Sequence, residues 1–232
     1  MNLESLERRR LFAVTVTEGY PGVFEVQGDD TDNTISISVS QKEQTFTLDG
    51  TTYSGAGFIS VSGYGGQDTI SVVSQDGDGE MSAVIDAGAG DDTVTLNFGG
   101  AIYGGSGCDW LYMAESFRGE IYGMSGNDFM YVVGLCVDAE IQGGDGNDMI
   151  DCTGSTSAVV ANGGTGNDTL YGSPFNDQLY AGTGSDYLDG GDGDDMLYAQ
   201  VSSRDTVLGG EGYDILYSSQ SEDETWGIEE VV

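Results

Sequence analysis

The sequence predicts an all-β fold of stacked parallel coils, and composition together with one repeat carries that prediction. Glycine supplies 39 of the 232 residues, which is about 17% against roughly 7% in ordinary proteins. The apolar fraction is 38%, with 10% aromatic residues, and this is too high for a disordered chain. A folded chain so rich in glycine needs that residue at fixed positions of a repeat.

The repeat has the form G-G-x-G-x-D-x-U-x, with U apolar, and is clearest at Gly163–Tyr171. Its repeated glycines favour tight turns with positive φ. Its last three residues predict a short strand whose middle side chain points inward. Two units then make an 18-residue coil of turn, strand, turn and strand. The sixth-position aspartates recur at intervals of nine or near twice nine: Asp68, Asp92, Asp109, Asp128, Asp148, Asp168, Asp177, Asp186, Asp195 and Asp214.

This register predicts two ladders of inward apolar residues, one for each sheet. Asp205 keeps the sixth position before Val207, although residues 200–204 have lost their glycines. Between Asp92 and Asp168 only one edge carries glycine turns, and we expect ordinary loops at 114–119 and 134–140 to cross the other. One ladder is Ile70, Val94, Leu111, Met130, Ile150, Leu170, Leu188 and Val207. The other is Val61, Ile85, Ile102, Ile121, Ile141, Ala161, Leu179, Leu197 and Leu216.

The turns predict calcium sites, because glycines let backbone carbonyls converge and the aspartates add carboxylates. Hard oxygen ligands favour calcium over zinc or copper. Coils stacked at ~4.8 Å place each turn on the turn of the preceding coil, which gives about seven candidate sites. Pair 68/92 has an irregular interval of 24, and Pro174 and Phe175 interrupt pair 177/195. The seven pairs are 92/109, 109/128, 128/148, 148/168 and 168/186 on one edge, and 177/195 and 195/214 on the other.

The candidate ligands are the aspartates, glycines and third-position residues of these turns. Seven divalent ions would add +14 to the formal charge of −34 and leave −20, so calcium is expected to be a condition of folding. The candidates are Asp92, Asp109, Asp128, Asp148, Asp168, Asp177, Asp186, Asp195, Asp214, Gly88, Gly90, Gly104, Ser106, Gly107, Gly126, Gly143, Asp145, Gly146, Gly163, Thr165, Gly166, Gly182, Gly184, Gly190, Asp192, Gly193, Gly209, Glu211 and Gly212.

The repeat over residues 63–217 resembles the hemolysin-type RTX calcium-binding repeat. That resemblance implies a right-handed parallel β-roll with calcium in its turns, usually on secreted bacterial proteins, and it implies no particular activity. Leu6–Phe12 is similar to the L-E-x-R-x-L-L sorting motif of bacterial surface proteins, with Phe12 in place of the last Leu. An exposed basic start with an amphipathic turn is the alternative. Glu229–Val232 is similar to the acidic-then-apolar tail of type I secretion substrates.

These patterns predict three segments. Residues 1–19 form a sorting-like start, 20–62 a β-rich cap or first coils, and 63–232 the RTX β-roll. Within the cap, Thr34–Val39 and Thr45–Leu48 alternate as strands do, and 28–33 resembles a degenerate turn.

The net charge and the residue types present exclude several classes of function and binding partner. Six Lys and Arg residues against 40 Asp and Glu disfavour nucleic acid and anionic membranes. Absent histidine excludes a Ser-His-Asp triad and His-ligated zinc. Lys42 is the only lysine, Arg118 and Arg204 are expected to stand alone in loops, and we expect no catalysis. No run approaches the ~18 apolar residues of a membrane span. The disulfide state of Cys108, Cys136 and Cys152 stays open.

Outward positions carry aromatic residues in one register. Eight of the 13 tyrosines directly follow an inward residue. Such columns stabilise a sheet by stacking, or they form a strip that packs against a glycan or a cell-surface protein. An ice-binding face would need Thr-x-Asn in successive turns, and only Thr165 with Asn167 provides it. The candidate surface-binding residues are Trp110, Tyr112, Phe129 and Tyr131.

The sequence therefore predicts a calcium-binding β-roll, secreted or on a bacterial cell surface, with a structural or adhesive role. The alternatives are a stabilising or export module without a ligand of its own and an ice-binding roll. Oligomeric state and the number of occupied calcium sites stay open.

Overall fold

The computed structural model describes residues 14–76, 81–114, 116–117, 119–136, 139–200, 204–218 and 223–232. These residues form strands and turns, so the predicted all-β class is confirmed. None of them forms a helix with the length and apolar character needed to cross a membrane.

The described residues contain 25 strands, most of them short because glycine turns interrupt the chain at regular intervals. They are β1 (Thr15–Glu18), β2 (Val23–Gln27), β3 (Thr34–Ser40), β4 (Thr45–Leu48), β5 (Thr51–Ser54), β6 (Phe58–Ser62), β7 (Thr69–Ser74), β8 (Ser82–Ala89), β9 (Thr93–Leu96), β10 (Gly100–Ser106), β11 (Trp110–Met113), β12 (Ser116–Phe117), β13 (Gly119–Ser125), β14 (Phe129–Cys136), β15 (Glu140–Asp145), β16 (Met149–Ser155), β17 (Val160–Thr165), β18 (Thr169–Tyr171), β19 (Gln178–Thr183), β20 (Tyr187–Asp192), β21 (Met196–Ala199), β22 (Thr206–Glu211), β23 (Ile215–Tyr217), β24 (Glu224–Trp226) and β25 (Glu230–Val231).

The strands form two sheets, and the chain alternates between them to build a β-solenoid. In the described residues the first sheet has the order β1-β2-β6-β8-β10-β13-β15-β17-β19-β21-β23-β25. The second has the order β24-β22-β20-β18-β16-β14-β11-β9-β7-β3-β4-β5, with β12 paired to β14. From β6 onward the pairing is parallel, as the repeat predicts. Antiparallel pairs occur at the N-terminal end, where β1 joins β2 and β3, β4 and β5 form a meander.

The core lies between the two sheets and contains the two predicted ladders, with further buried residues such as Val72, Leu96 and Met113 beside them. Val94 pairs in register with Leu111, and Ile85 with Ile102. Every member of both ladders is at most 1% exposed. Each such aliphatic side chain contributes about 1.5–3 kcal/mol by leaving water. The predicted ladders are therefore confirmed, including Val207, whose turn has lost its glycines.

Three aromatic rings fill the N-terminal end of the core. Phe46 stacks on Tyr53 with ring centroids 4.7 Å apart, and Phe24 meets Phe46 edge-on at 5.1 Å. Asp49 and Gly50, both with positive φ, form the two-residue turn between β4 and β5, which suits the twist of an antiparallel hairpin. The predicted strands at Thr34–Val39 and Thr45–Leu48 are thus confirmed as β3 and β4.

Two expectations about loops are wrong in detail. The segment 114–119 contains β12, which pairs with β14, and β14 itself runs into the segment 134–140. Residues 116–117 and 134–136 are strand because their backbone pairs with that of a neighbouring coil. Arg204 does not stand alone either, since it forms an ion pair with Glu224. Arg118 lies outside the described residues.

Candidate metal centre

The glycine turns line the two edges of the solenoid. Except in the interrupted turn 172–177, where Phe175 takes the fourth position without a positive φ, their backbone requires glycine most strictly at that position. In the turn Gly143–Asp148, Gly144 has φ +117° and Gly146 has φ +140°. A Cβ at Gly146 would overlap the carbonyl oxygen of Gly126, one coil earlier. The second position is less strict, because Met124 takes it with φ 79°. Glycine is therefore selected at the fourth position by the close stacking of successive turns as well as by the positive φ.

The sixth-position aspartates form a hydrogen-bonded ladder along each edge. The backbone N–H of Asp128 donates to Oδ1 of Asp148 at 2.8 Å, and the N–H of Asp148 donates likewise to Asp168. Each carboxylate thus holds the backbone of the preceding coil. One ladder runs from Asn33 through Asp68, Asp92, Asp109, Asp128, Asp148, Asp168, Asp186 and Asp205 to Asp223. The other runs from Val159 through Asp177, Asp195 and Asp214 to Glu229.

In most of the sixth-position aspartates the second carboxylate oxygen is buried, and no described residue donates a hydrogen bond to it. We name this atom, Oδ2 of the sixth-position aspartate, the open oxygen of its turn. A buried carboxylate oxygen without a donor is rare, because losing water without a replacement costs free energy. Open oxygens occur at Asp68, Asp92, Asp109, Asp128, Asp148, Asp168, Asp186, Asp195 and Asp214.

Each open oxygen that lies beside a first-position glycine faces a backbone carbonyl of the next coil. At the place where a Cβ of Gly104 would stand, the open oxygen of Asp109 is 2.6 Å away and the carbonyl oxygen of Gly123 is 2.8 Å away. The open oxygen of Asp168 and the carbonyl oxygen of Ala181 both lie 2.5 Å from the same point at Gly163. The same arrangement recurs at Gly63, Gly123, Gly143, Gly172, Gly190 and Gly209, where Asp177 supplies the carboxylate oxygen beside Gly172.

Burial and neighbouring charge raise the pKa of these carboxyl groups. Desolvation raises the pKa of Asp109 to about 7, and the stacked charges of Asp128 and Asp92 add to the effect. Desolvation likewise raises the pKa of Asp148 and Asp195 to about 7 and that of Asp168 to about 6. The ladder hydrogen bonds oppose these shifts without cancelling them. The folded turns therefore disfavour the bare anion.

The oxygen-rich turns suit a hard cation. A negative carboxylate oxygen and the negative end of a carbonyl dipole approach each other across a first-position glycine, and a cation between coils would relieve that repulsion. Within the described residues no three Asp, Glu or Cys side chains lie close enough to hold a metal by themselves. Backbone carbonyls must then complete any site, as the glycine-rich sequence predicts. The donor set therefore fits calcium.

The structure places the predicted third- and fourth-position residues at the outer tips of the turns. The N–H of Gly126 donates to the carbonyl oxygen of Asp145, and the N–H of Gly146 donates to that of Thr165. The same bond joins Gly90 to Ser106 and Gly193 to Glu211. The side chains at this position, including that of Asp192, are exposed. These predicted residues stack the coils through their backbone, which leaves the buried aspartates as the distinctive polar groups of the turns.

Fifth-position side chains form a second ladder that the sequence reasoning missed. The backbone N–H of Asn147 donates to Oδ1 of Asn127 at 2.7 Å, and Asn167 repeats the bond to Asn147. Cys108 does the same with Asp91, and Tyr213 with Asp194. The recurrence of Asn or Asp at the fifth position is the sequence pattern that could have predicted this ladder. This ladder ties the outer part of each turn to its neighbour.

Asp177 differs from the other sixth-position aspartates of the glycine turns. Its Oδ2 accepts a hydrogen bond from the N–H of Ser173 at 2.5 Å, and its Oδ1 accepts from the Ser173 hydroxyl at 2.8 Å. Ser173 comes just before Pro174 and Phe175, the residues that interrupt the repeat. At this turn the hydrogen bonds from Ser173 therefore give the carboxylate the stabilisation that a cation would give it elsewhere.

The four predicted surface residues lie together on the outer face of the second sheet. Trp110 is 60% exposed and contacts Phe129 with ring centroids 4.6 Å apart. Tyr112 stacks beside Tyr131 at 5.7 Å. On the first sheet, Tyr198 stacks between Tyr180 and Tyr217 at 4.3 and 4.6 Å. The predicted outward register of the aromatic residues is thus confirmed.

Comparison with known families gives an independent result for the same repeat. A family model described as the RTX calcium-binding nonapeptide repeat (4 copies) matches residues 84–100, 140–151, 162–197 and 202–227. No curated protein was found to match the chain. Between the first two matches, the sheet register and the aspartate ladder continue through Asp109 and Asp128. RTX repeats imply calcium binding in a β-roll. The chain therefore contains RTX calcium-binding nonapeptide repeats, and these repeats form part of a β-solenoid.

Proposed function

We propose that this protein is an exported, calcium-loaded β-roll with a structural or adhesive role, and that calcium is the condition of its folding. One observation carries the proposal: buried carboxylates stack along both edges, most have an open oxygen, and beside the first-position glycines that oxygen faces a carbonyl of the next coil. Without a cation these groups must either repel one another or take up protons. Calcium binding would then be coupled directly to coil stacking.

The proposed ions lie between successive turns, and the sixth-position aspartates with turn carbonyls would hold them. The carboxylates supply negative charge, and calcium supplies the positive charge that compensates for it when the carboxylates are buried. The pairs from 92/109 to 168/186 and the pair 195/214 have open oxygens on both members. We expect weaker binding at 177/195, because Ser173 donates to Asp177. Pair 68/92 joins the candidates. Asp68 carries an open oxygen, and its backbone N–H donates to Oδ1 of Asp92 at 2.6 Å.

An extracellular setting supports the folding role. RTX repeat proteins are typically secreted, and extracellular calcium modules generally bind with Kd values of roughly 10⁻⁴–10⁻³ M. A chain with net charge −34 repels itself when no calcium is present. It would stay expanded where calcium is scarce and fold after export. RTX β-rolls are generally structural, and we propose the same here, with the aromatic face as the adhesive element.

Circular dichroism of the full chain, with calcium or with a chelator at neutral pH, tests the folding role. We expect a β spectrum with calcium, an unordered spectrum with chelator, and full return when calcium is added again. Magnesium is the matched control, because it demands near-ideal octahedral geometry and gives up its water reluctantly. A β spectrum unaffected by the chelator at neutral pH would overturn the proposal.

A further inference from the structure

The outer face of the second sheet changes abruptly between β9 and β11. In register along the sheet, Thr69 pairs with Thr93, and Thr93 pairs with Trp110. Two residues further along the same strands, Thr95 pairs with Tyr112. Small hydroxyl-bearing side chains therefore lie next to large aromatic rings at a separation of one strand, ~4.8 Å. We name Thr69, Thr93 and Thr95 the hydroxyl floor, and Trp110 with Tyr112 the aromatic wall.

One side of the aromatic wall is covered and the other is open. Phe129 contacts Trp110, and Tyr131 stacks beside Tyr112. On the opposite side the wall faces β9, whose residues in the paired register are Thr93 and Thr95. An open cleft of about 160 Å³ lies over the wall and its two covering rings, with Thr93 of the hydroxyl floor at its side. It is lined by Thr93, Trp110, Leu111, Tyr112, Phe129 and Tyr131. Trp110 is 60% exposed and Tyr112 is 38% exposed, so both rings offer surface to a ligand.

The floor and the wall together match the chemistry of a sugar ring. A pyranose carries C–H groups on its faces and hydroxyls around its rim. The C–H groups pack on an aromatic face, and the rim hydroxyls exchange hydrogen bonds with threonine hydroxyls. Trp110 and Tyr112 form one contiguous aromatic patch with Phe129 and Tyr131, and contiguous apolar patches mark binding sites where single exposed residues do not. Stacking within the sheet explains the covered sides of Trp110 and Tyr112 and leaves their open sides unexplained.

Charge and backbone pairing decide between classes of partner. The six residues that line the cleft carry no charge, and the chain carries −34 overall, so an anionic glycan or nucleic acid would be repelled. An extended peptide gains affinity by adding to a sheet edge. Here β9 and β11 lie inside the sheet, and each pairs with a neighbour on both sides. The remaining class is an uncharged ligand that contacts the side chains of the sheet and does not pair with its backbone.

We propose that the cleft at the aromatic wall, together with the hydroxyl floor beside it, binds an uncharged oligosaccharide. The inference rests on the proposed function, because it supplies the ligand of an adhesive β-roll and needs that roll folded. A chain of pyranose units would run from the wall across Thr93 toward Thr69, perpendicular to the strands.

Binding is tested on the full, calcium-loaded chain with neutral oligomers of glucose, galactose, mannose and N-acetylglucosamine. Sulfated and uronic acid oligomers serve as charged controls. In a Trp226→Phe background, Trp110 is the remaining tryptophan, and its fluorescence reports occupancy of the cleft. We expect at least one neutral series to bind and to shift this fluorescence, and the charged oligomers to bind more weakly. Trp110→Ala should weaken binding at least about tenfold, which is ~1.4 kcal/mol.

Matched variants separate the cleft from general stability. Thr93→Val keeps the shape and the preference for strand while removing the hydroxyl, so we expect weaker binding with an unchanged fold. Tyr198→Ala removes a stacked ring from the other sheet and should leave sugar affinity unchanged. Unchanged affinity in Trp110→Ala would overturn the inference. Self-association that Trp110→Ala abolishes, with no neutral sugar bound, would overturn it in favour of a contact between copies.

The two proposals fail in different ways. If the chain shows no calcium-dependent β spectrum, the proposed folding role fails before any sugar is added. If the spectrum forms with calcium and none of the neutral oligomers binds, only the oligosaccharide inference fails. Circular dichroism and tryptophan fluorescence on the same sample therefore distinguish the two results.

Discussion

The backbone N–H of Asp148 donates a 2.8 Å hydrogen bond to Oδ1 of Asp168 in the next coil, while Oδ2 of Asp168 is an open oxygen. One carboxylate thus has two separate roles. Its first oxygen fixes the register between coils, and its second faces the carbonyl oxygen of Ala181 beside Gly163. Substitutions that affect one oxygen at a time can therefore separate register from cation binding.

Asp148→Asn should stabilise the calcium-free roll and weaken calcium binding. The amide oxygen can still accept from the N–H of Asp128, and the amide nitrogen can donate toward the carbonyl oxygen of Gly163, which the open oxygen now faces. The lost charge weakens the two sites that share Asp148. Titration calorimetry should show a loss of one or two ions, and in chelator the pH below which circular dichroism shows a β spectrum should rise.

Asp148→Ala provides the contrast, because it removes both oxygens. The buried N–H of Asp128 then loses its acceptor, which costs about 1–3 kcal/mol, so this variant should be less stable with and without calcium. Glu25→Gln removes one charge from an exposed position of β2 and controls for net charge. Equal calcium stoichiometry in Asp148→Asn and in the unsubstituted chain would contradict the assignment.

The apolar ladders of the core could be predicted from the sequence, because the same position of every repeat unit is buried. An apolar residue two positions after each aspartate must point inward, and this placed even Val207 correctly. The ladder function of the aspartates did not follow, because a turn motif does not say which oxygen meets the preceding coil. Asp205 and Asp223 keep this role without glycine turns, since one side-chain hydrogen bond needs only the sixth position. The antiparallel N-terminal strands were not predictable either, because alternation carries no strand direction.

Gly126→Ala should prevent stacking of the coils on either side of it. Gly126 has φ +138°, and a Cβ there would overlap the carbonyl oxygen of Gly107. Both the backbone conformation and the contact between coils are then lost. We expect little β structure in circular dichroism at any calcium concentration.

Gly104→Ala is the matched control at a first position. Its Cβ would meet the open oxygen of Asp109 at 2.6 Å and the carbonyl oxygen of Gly123 at 2.8 Å. Ala87 and Ala181 occupy the same position in their own turns, so small shifts accommodate a methyl group. This variant should fold with a reduced thermal midpoint. Equal stability of the two variants would show that stacking distance does not select the fourth glycine.

The calcium-free roll should be more stable in mild acid than at neutral pH. The pKa of Asp109, Asp148 and Asp186 is raised to about 7 in the fold, chiefly by burial, from 3.8. Between these values the folded state binds more protons than the unfolded state, so stability falls as pH rises. This stabilisation is complete below about pH 4 and is lost as pH rises through about 7. Circular dichroism in chelator at about pH 5.5 and about pH 8 measures it, and the β signal should be larger at the lower pH.

Calcium should reverse this dependence, because protons and calcium compete for the same carboxylates. In excess calcium the midpoint should rise between about pH 5.5 and about pH 7. The two measurements together form the control, since a general effect of pH on the fold would change the β signal in chelator and the midpoint in calcium in the same direction. A larger β signal in chelator at about pH 8 than at about pH 5.5 would contradict the raised pKa values.

The thiol of Cys152 should report how calcium limits opening of the roll. Cys152 is fully buried in β16, which pairs with β14 on one side and β18 on the other. A reagent reaches it only when these coils separate. In the double variant Cys108→Ser with Cys136→Ser, a thiol reagent should act slowly in calcium and quickly in chelator. One site at free calcium 100 times its Kd adds about 2.7 kcal/mol, so we expect at least a hundredfold difference in rate. The partner variant Cys136→Ser with Cys152→Ala retains Cys108, an exposed residue of a turn tip, which should react rapidly in both conditions. Equal rates at Cys152 in calcium and chelator would mean that calcium does not hold the coils together.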